Sequence, residues 1–366
     1  MKLTCERTLL AEAITGVSKA VLTSNNGSPL EGILFHAEGF SLTLTGYNEQ
    51  LAITTTLEAN VQQPGDALLS ARLLGDMVRR LNAEDIELSC DDNCTATVKG
   101  GITEFNILGM NPASYPSLPS PATDHALDLP AAGLKEIVET TLYAVSLDDK
   151  KPAHTGELFV IEPEKLTVVA LDGFRLAIME KKVQADKEIS VIIPAKTLSE
   201  AVKLFGDGDD AVQIAANRRY VVFSNERYTV ISRLIEGEFL DYKRVIPDGC
   251  RTKVTVDARD FINVIERASL IITERLKNPL RITFDGNITV RCETQLGRVV
   301  DELDAKVEGD ALEIGFNNRY LLDALRNARC DRLVLELGGQ LSPVKILPAD
   351  GGDFLFLVLP VRFKND

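Results

Sequence analysis

The sequence predicts an α+β fold made of three similar units, each with two helices packed on antiparallel sheets. Three observations lead there. A chain of 366 residues is too long for one ordinary core. Two helical patterns recur at steps of about 125 residues, which points to internal triplication. Short alternating strands, not further helices, fill the stretches between them.

The first helix of each unit follows a short strand. Leu3–Val21 places Leu9, Leu10, Ala13, Ile14 and Val17 at helical spacing. Leu127–Val145 repeats the plan with Leu134, Ile137, Val138, Thr141 and Leu142, and Val254–Ile272 with Phe261, Val264, Ile265, Ala268 and Leu270. Leu9, Leu134 and Phe261 read as equivalent, at steps of 125 and 127 residues. The second helix is predicted over Ser70–Leu81, Pro194–Phe205 and Phe316–Ala328. Arg72, Leu74 and Val78 match Lys196, Leu198 and Val202, then Arg319, Leu321 and Leu325, at steps of 124 and 123 residues.

Strands are predicted at Gly39–Thr45, Leu51–Leu57, Ile86–Ser89, Val212–Ala215, Tyr220–Ser224, Tyr228–Ser232, Leu280–Phe284, Ile288–Cys292 and Leu333–Leu337. Turn-rich segments Asn111–Asp124 and Ile246–Lys253 then bound domains at 1–122, 123–248 and 249–366. Val168–Ile178 reads as a hairpin turning at Asp172-Gly173. Phe174-Arg175 directly after the turn puts a bulky apolar residue and a guanidinium where polar residues are usual, the pairing that a peptide-docking surface uses.

Composition limits the function classes. The chain is 45% hydrophobic and 26% charged, and no apolar run reaches membrane-spanning length. The opening MKLTCERTLL lacks the apolar core of a signal peptide, so a cytoplasmic location is expected. Cys5, Cys90, Cys94, Cys250, Cys292 and Cys330 are scattered, which predicts reduced thiols and no zinc site. The net charge of −14 argues against nucleic acid at first sight. The charge is segregated, however: the six predicted helices sum to +4 and the rest of the chain to −18. Helices gathered on one surface would make it basic inside an acidic shell, and such a surface binds duplex DNA through its phosphates without reading sequence.

The threefold unit, Ala170–Ala177 (ALDGFRLA), Arg233–Pro247 (RLIEGEFLDYKRVIP) and Leu359–Arg362 (LPVR) resemble the bacterial DNA polymerase III beta subunit family, the replicative sliding clamps, from Met1 almost to the C-terminus. The resemblance implies three clamp domains per chain and a head-to-tail homodimer forming a six-domain ring. Helices would line the hole, and duplex DNA would pass through unread. The ring would tether the replicative polymerase by keeping its effective concentration high, and would bind the clamp loader and repair proteins through short linear motifs.

For the partner-peptide pocket the resemblance names His154, Leu171, Gly173, Phe174, Arg175 and Leu176 as one wall, and Leu240, Arg244 and Val245 as another. Val358, Leu359, Pro360, Val361 and Arg362 close it. The expected pocket is an apolar slot for Leu and Phe side chains with Arg175 at its rim, lost if the chain ends after Phe356. Phe174, Leu171 and Leu240 depart from the family's His, Thr and Pro, and the tail runs on through Lys364-Asn365-Asp366. DNA contacts are expected from Arg72, Arg79, Arg80, Lys196, Lys203, Arg319 and Arg326 on the helices, and from Lys150 and Lys151 in the loop Leu147–Pro152. In the loop Thr23–Ser28, Ser24 stands where Arg is common. Phe105 and Ile107 are expected to meet Leu270 and Ile271 across the dimer interface.

Two rival readings differ in class. An enzyme would need a site that the motifs do not supply. His36, His125 and His154 stand apart from any nucleophile motif, and Gly206-Asp207-Gly208 lacks the Lys-Ser/Thr of a phosphate loop. No cofactor, metal or catalytic residue is therefore expected. An acidic interaction scaffold that never encircles DNA fits the net charge but not the charge of the helices.

Overall fold

A computed structural model describes residues 1–23, 26–273 and 278–363. Ser24 and the tail Lys364–Asp366 lie outside the described residues. The elements run through one series three times: a strand, a helix, four or five strands, a second helix and three closing strands. The first helices are α1 (Arg7–Val17), α3 (Ala131–Thr141) and α5 (Ala258–Ser269); the second are α2 (Ala71–Arg80), α4 (Ala195–Phe205) and α6 (Asn318–Asn327). Side-chain caps fix several starts. Ser70 accepts from the Leu73 N–H, Asp257 from Asp260, and Asn317 from Arg319 and Tyr320.

One sequence equivalence is off by a residue. Leu10, not Leu9, matches Leu134 and Phe261: each stands fourth in its helix and is buried, whereas Leu9 is exposed. α1 begins at Arg7, so Leu9 falls just outside the stripe that faces the sheet. Leu270 also leaves the core face, because it follows the end of α5 and is 81% exposed.

Two compact units form, one from Met1–Ala132 with Glu200–Leu234, the other from Gly133–Ser199 with Ile235–Asp366. The division cuts the second repeat because each half of that repeat extends a neighbour's sheet. In the first unit a five-stranded sheet has the order β5 (Asn60–Gln63), β1 (Lys2–Glu6), β7 (Asp85–Cys90), β8 (Thr95–Gly100), β9 (Thr103–Leu108). An eight-stranded sheet runs β10 (Asp124–Pro130), β15 (Ala211–Ala216), β16 (Tyr220–Ser224), β17 (Tyr228–Arg233), β4 (Leu51–Glu58), β3 (Ser41–Tyr47), β2 (Gly32–Glu38), β6 (Gly65–Ser70).

The second unit repeats this design. Its nine-stranded sheet runs β14 (Ile189–Pro194), β11 (Gly156–Glu162), β12 (Lys165–Leu171), β13 (Arg175–Lys182), β26 (Phe354–Val358), β25 (Val344–Pro348), β24 (Arg332–Leu337), β18 (Thr252–Asp257), β22 (Lys306–Gly309). Its four-stranded sheet runs β21 (Gly297–Leu303), β20 (Asn287–Thr294), β19 (Leu280–Asp285), β23 (Leu312–Phe316). All pairings are antiparallel. The two that join repeats are β17 with β4 (Val230 opposite Ile53) and β26 with β13 (Phe356 opposite Ala177). In both, the last strand of one repeat is added to the sheet of the repeat before it.

The six cysteines are free thiols. Cys5 lies on β1 against the core, and burial pushes its thiol up to about 12, which leaves it protonated and inert at neutral pH.

Candidate functional site

The hairpin of β12 and β13 is tightened by one carboxylate. Asp172 accepts hydrogen bonds from the backbone N–H of Phe174 at 2.9 Å and of Arg175 at 3.1 Å, and from Arg175 Nε at 3.0 Å. Asp172 and Arg175 therefore close the turn, and Gly173-Phe174 occupy its two central positions, one residue later than the sequence suggests. Gly173 supplies the positive φ, 90°, that such a hairpin turn requires. The result is a presented ring: Phe174 is 57% exposed and stacks on Tyr320 of α6, with centroids 5.6 Å apart.

Arg175 is not the free rim group expected. Its side chain is 12% exposed and ion-pairs with both Asp172 and Asp323. Its guanidinium lies 5.4 Å from the Tyr143 ring centroid and 4.9 Å from that of Tyr320. Burial raises the Tyr143 phenol well above its ordinary pKa while Arg175 opposes the shift, and the buried hydroxyl has no partner among the described residues. Arg175 is thus a brace that holds the turn against α6 and the 142–144 turn. Tyr143, Tyr320 and Asp323 were missed in the sequence because they sit in segments read only for helical period and net charge.

The other pocket residues separate by depth. Leu171 and Leu176 are buried in a cluster with Leu158, Val169, Ile178, Ile192 and Leu357, and Val358 is fully buried. These three form the floor and not an open wall. Phe239, Tyr242 and Ile246 pack on the same cluster, which brings the segment carrying Leu240, Arg244 and Val245 over the hairpin. Leu240, Val245, Leu359 and Val361 are exposed apolar residues around this floor. Arg244 is 85% exposed and pairs with Asp241 at 2.8 Å, which leaves its cation at the surface beside this floor. His154 is half-buried, and burial and the nearby Lys151 hold its imidazole below its ordinary pKa.

The C-terminal arm is tied at two points. Leu359 N–H donates to Phe174 O at 2.9 Å, and Val361 N–H donates to Gly315 O at 2.8 Å. At Gly315 a Cβ would lie 2.5 Å from Val361 O, so this approach requires glycine. Pro360 and Arg362 continue the arm at the surface.

The predicted DNA contacts are all exposed: Arg72, Arg79, Arg80, Lys150, Lys151, Lys196, Lys203, Arg319 and Arg326. In the first unit the fold gathers Arg79 and Lys203 with Arg7, Lys19 and Arg227 around one open groove that also holds Glu12 and Glu200. Arg72 lines a second groove with Lys19 and Arg79. Arg79 pairs with Asp76 at 2.9 Å, Lys203 with Glu200 at 3.2 Å, and Arg227 with Glu12 at 2.9 Å. The Arg79 and Arg227 pairs are exposed on both sides and worth about 0–1 kcal/mol, so these two cations can be drawn to a phosphate at little cost. Arg227 escaped the sequence reading because it sits in a turn and not on a helix. In the second unit, Arg326 pairs with Glu266 at 2.6 Å.

Phe105 and Ile107 share one face of β9 and are half-buried, as is Ile271, while Leu270 is exposed, so none of the four is ordinary core. Among the described residues no group of three His, Cys, Asp or Glu could hold a metal ion, and no helix is long and apolar enough to cross a membrane.

Comparison with known proteins gives one family for all three repeats. Family models for the DNA polymerase III beta subunit match residues 1–119 (N-terminal domain), 128–241 (central domain) and 243–362 (C-terminal domain). A beta sliding clamp of Staphylococcus epidermidis is 30% identical over 99% of both chains. The solved DNA polymerase sliding clamp of Bacillus subtilis superposes with a TM-score of 0.96 at 28% identity, covering all of both chains. A sliding clamp of Bartonella birtlesii, solved bound to griselimycin, gives 0.93 at 29% identity, over 99% of this chain and 100% of that one. With this threefold α+β design, the matches place the chain in the DNA polymerase III beta subunit family, the beta sliding clamps.

Proposed function

We propose that two copies of this chain close head to tail into a ring around duplex DNA and tether a DNA polymerase to its template. The observation that carries the reading is the joint used twice within the chain. The last strand of the second repeat, β17, pairs with β4, and the last strand of the third, β26, pairs with β13. By the same rule β9 seeks the strand equivalent to β4 and β13, which in the third repeat is β21. Both β9 and β21 are sheet edges, and an unpaired edge is a template for another chain. The internal joint also models the side chains. In it, the ring of Tyr143 meets Phe356 edge-on at 5.5 Å. The repeat maps Tyr143 onto Leu270 and Phe356 onto Phe105, the residues expected at the dimer interface. A third joint of this type, made between copies, closes a ring of six domains bounded at 1–122, 123–248 and 249–366.

The basic grooves supply the grip on DNA. Cations on the helices and in the loop with Lys150 and Lys151 give salt-dependent, sequence-independent attraction that permits sliding. The ring contributes no chemistry: it is a non-catalytic processivity factor of the cytoplasm, and polymerase, clamp loader and repair proteins reach it through short motifs held in the hairpin pocket. A ring is retained on closed circular DNA after loading and slides off once the circle is cut; an acidic scaffold is retained on neither. Equal retention on circular and linear DNA would overturn encirclement.

A further inference from the structure

A groove of the second unit adjoins the docking pocket. One wall is Lys151, Pro152, Ala153 and His154, and the other is Glu236 to Asp241. The walls approach at Gly237, where a Cβ would lie 3.9 Å from Ala153 Cβ. The base is apolar. Phe239 faces the His154 ring at 5.7 Å, and Ala153 and Phe239 both pack on the cluster that holds Leu171 and Leu176. The groove and the pocket therefore share a floor.

The rim is acidic. Asp241 is answered by Arg244 at 2.8 Å. Glu236 and Glu238 are exposed, and neither has an ion pair or hydrogen bond among the described residues. Lys151 is the one lysine or arginine on the facing wall. Two free carboxylates above an aromatic base suit a long cationic side chain, whose stem covers Phe239 and Leu240 while its head reaches the rim.

We infer that this groove is a specificity subsite for a lysine or arginine beside the apolar anchors of the docked peptide. The inference rests on the docking reading of the hairpin pocket and adds which peptides it prefers. The test measures binding of labelled synthetic peptides to the full-length chain by fluorescence anisotropy. The peptides share a Leu-Phe pair and are flanked by Lys, Ala or Glu. The Lys peptide is expected to bind about three- to tenfold tighter than the Glu peptide at low salt, the scale of one or two exposed ion pairs. The gap should close in E236Q/E238Q and at about 1 M salt, and should persist in E58Q/E87Q, which removes the same charge from exposed positions in the first unit. Equal affinities for the peptides, or a gap that survives E236Q/E238Q, overturn the subsite and leave the pocket standing. If none of the peptides binds, the pocket reading falls and the subsite with it.

Discussion

Arg175 shows why a residue's identity is not yet its role. On sequence it is a rim group beside an exposed phenylalanine; in the fold its charge is consumed by Asp172, Asp323 and two aromatic rings. Truncating it leaves both carboxylates without that partner; with Asp323 at 41% exposure, solvent holds the cost below about 3–5 kcal/mol, that of breaking a fully buried pair. An Arg175→Ala variant therefore tests the turn's framework, whereas Arg244, exposed and locally paired, is the cleaner probe of docking. A second residue makes a prediction of its own. Glu157 on β11 is fully buried; Thr141 Oγ1 donates to its Oε1 at 2.8 Å, and Oε2 has no partner among the described residues. Burial raises its pKa well above the usual carboxylate range, against the smaller opposing effect of Thr141. The folded state thus holds this proton more tightly than the unfolded chain, so Glu157's contribution to stability is greatest below its ordinary pKa of 4.5 and falls as pH rises toward the folded value. Glu157→Gln should flatten the loss of stability as pH rises above 4.5, measured by urea unfolding across a pH series. An unchanged slope would mean that Glu157 does not titrate in that window.

The strand β26 sets the limits of a truncation experiment. The sequence makes the chain after Phe356 look like a detachable docking tail. In the sheet, β26 lies between β13 and β25, with Leu357 and Val358 buried at 2% and 0% exposure. Ending the chain at Phe356 exposes that core and removes two apolar side chains worth about 1.5–3 kcal/mol each. Ending it after Val358 removes the arm Leu359–Arg362 and spares the sheet. The variant ending at Phe356 should lower thermal stability clearly, and the one ending after Val358 should lose peptide affinity with little change in stability. Equal stability of the two would contradict the interior position of β26. The six helices and most strands were legible because their periods of 3.6 and 2 are written locally. The turn was misplaced by one residue because its register follows from Asp172 side-chain bonds, and Asp-Gly alone does not fix them. The pairing of β17 with β4 had no local trace at all, since backbone hydrogen bonds between segments more than 170 residues apart leave no mark on composition.

At the scale of the molecule, one joint repeated twice in the chain leaves one unmatched strand at each end of the series, β9 and β21. A lone monomer would keep both edges unpaired, and β9 carries half-buried Phe105 and Ile107 beside Leu108, which is 78% exposed. In the proposed ring, pairing two copies would satisfy all four edges at once, whereas an open chain of copies would leave two exposed. Light scattering across a dilution series should give a mass of two chains that persists on dilution. Phe105→Asp, and separately Leu270→Asp, should shift that mass toward one chain, because each puts a carboxylate at the position where the internal joint sets Phe356 against Tyr143. Neither change touches the hairpin pocket, so peptide affinity serves as the control for folding. Loss of the dimer with peptide binding intact, accompanied by loss of retention on closed circular DNA, would tie encirclement to this joint. A wild-type chain that stays monomeric at every concentration would leave the threefold fold in place and remove the ring.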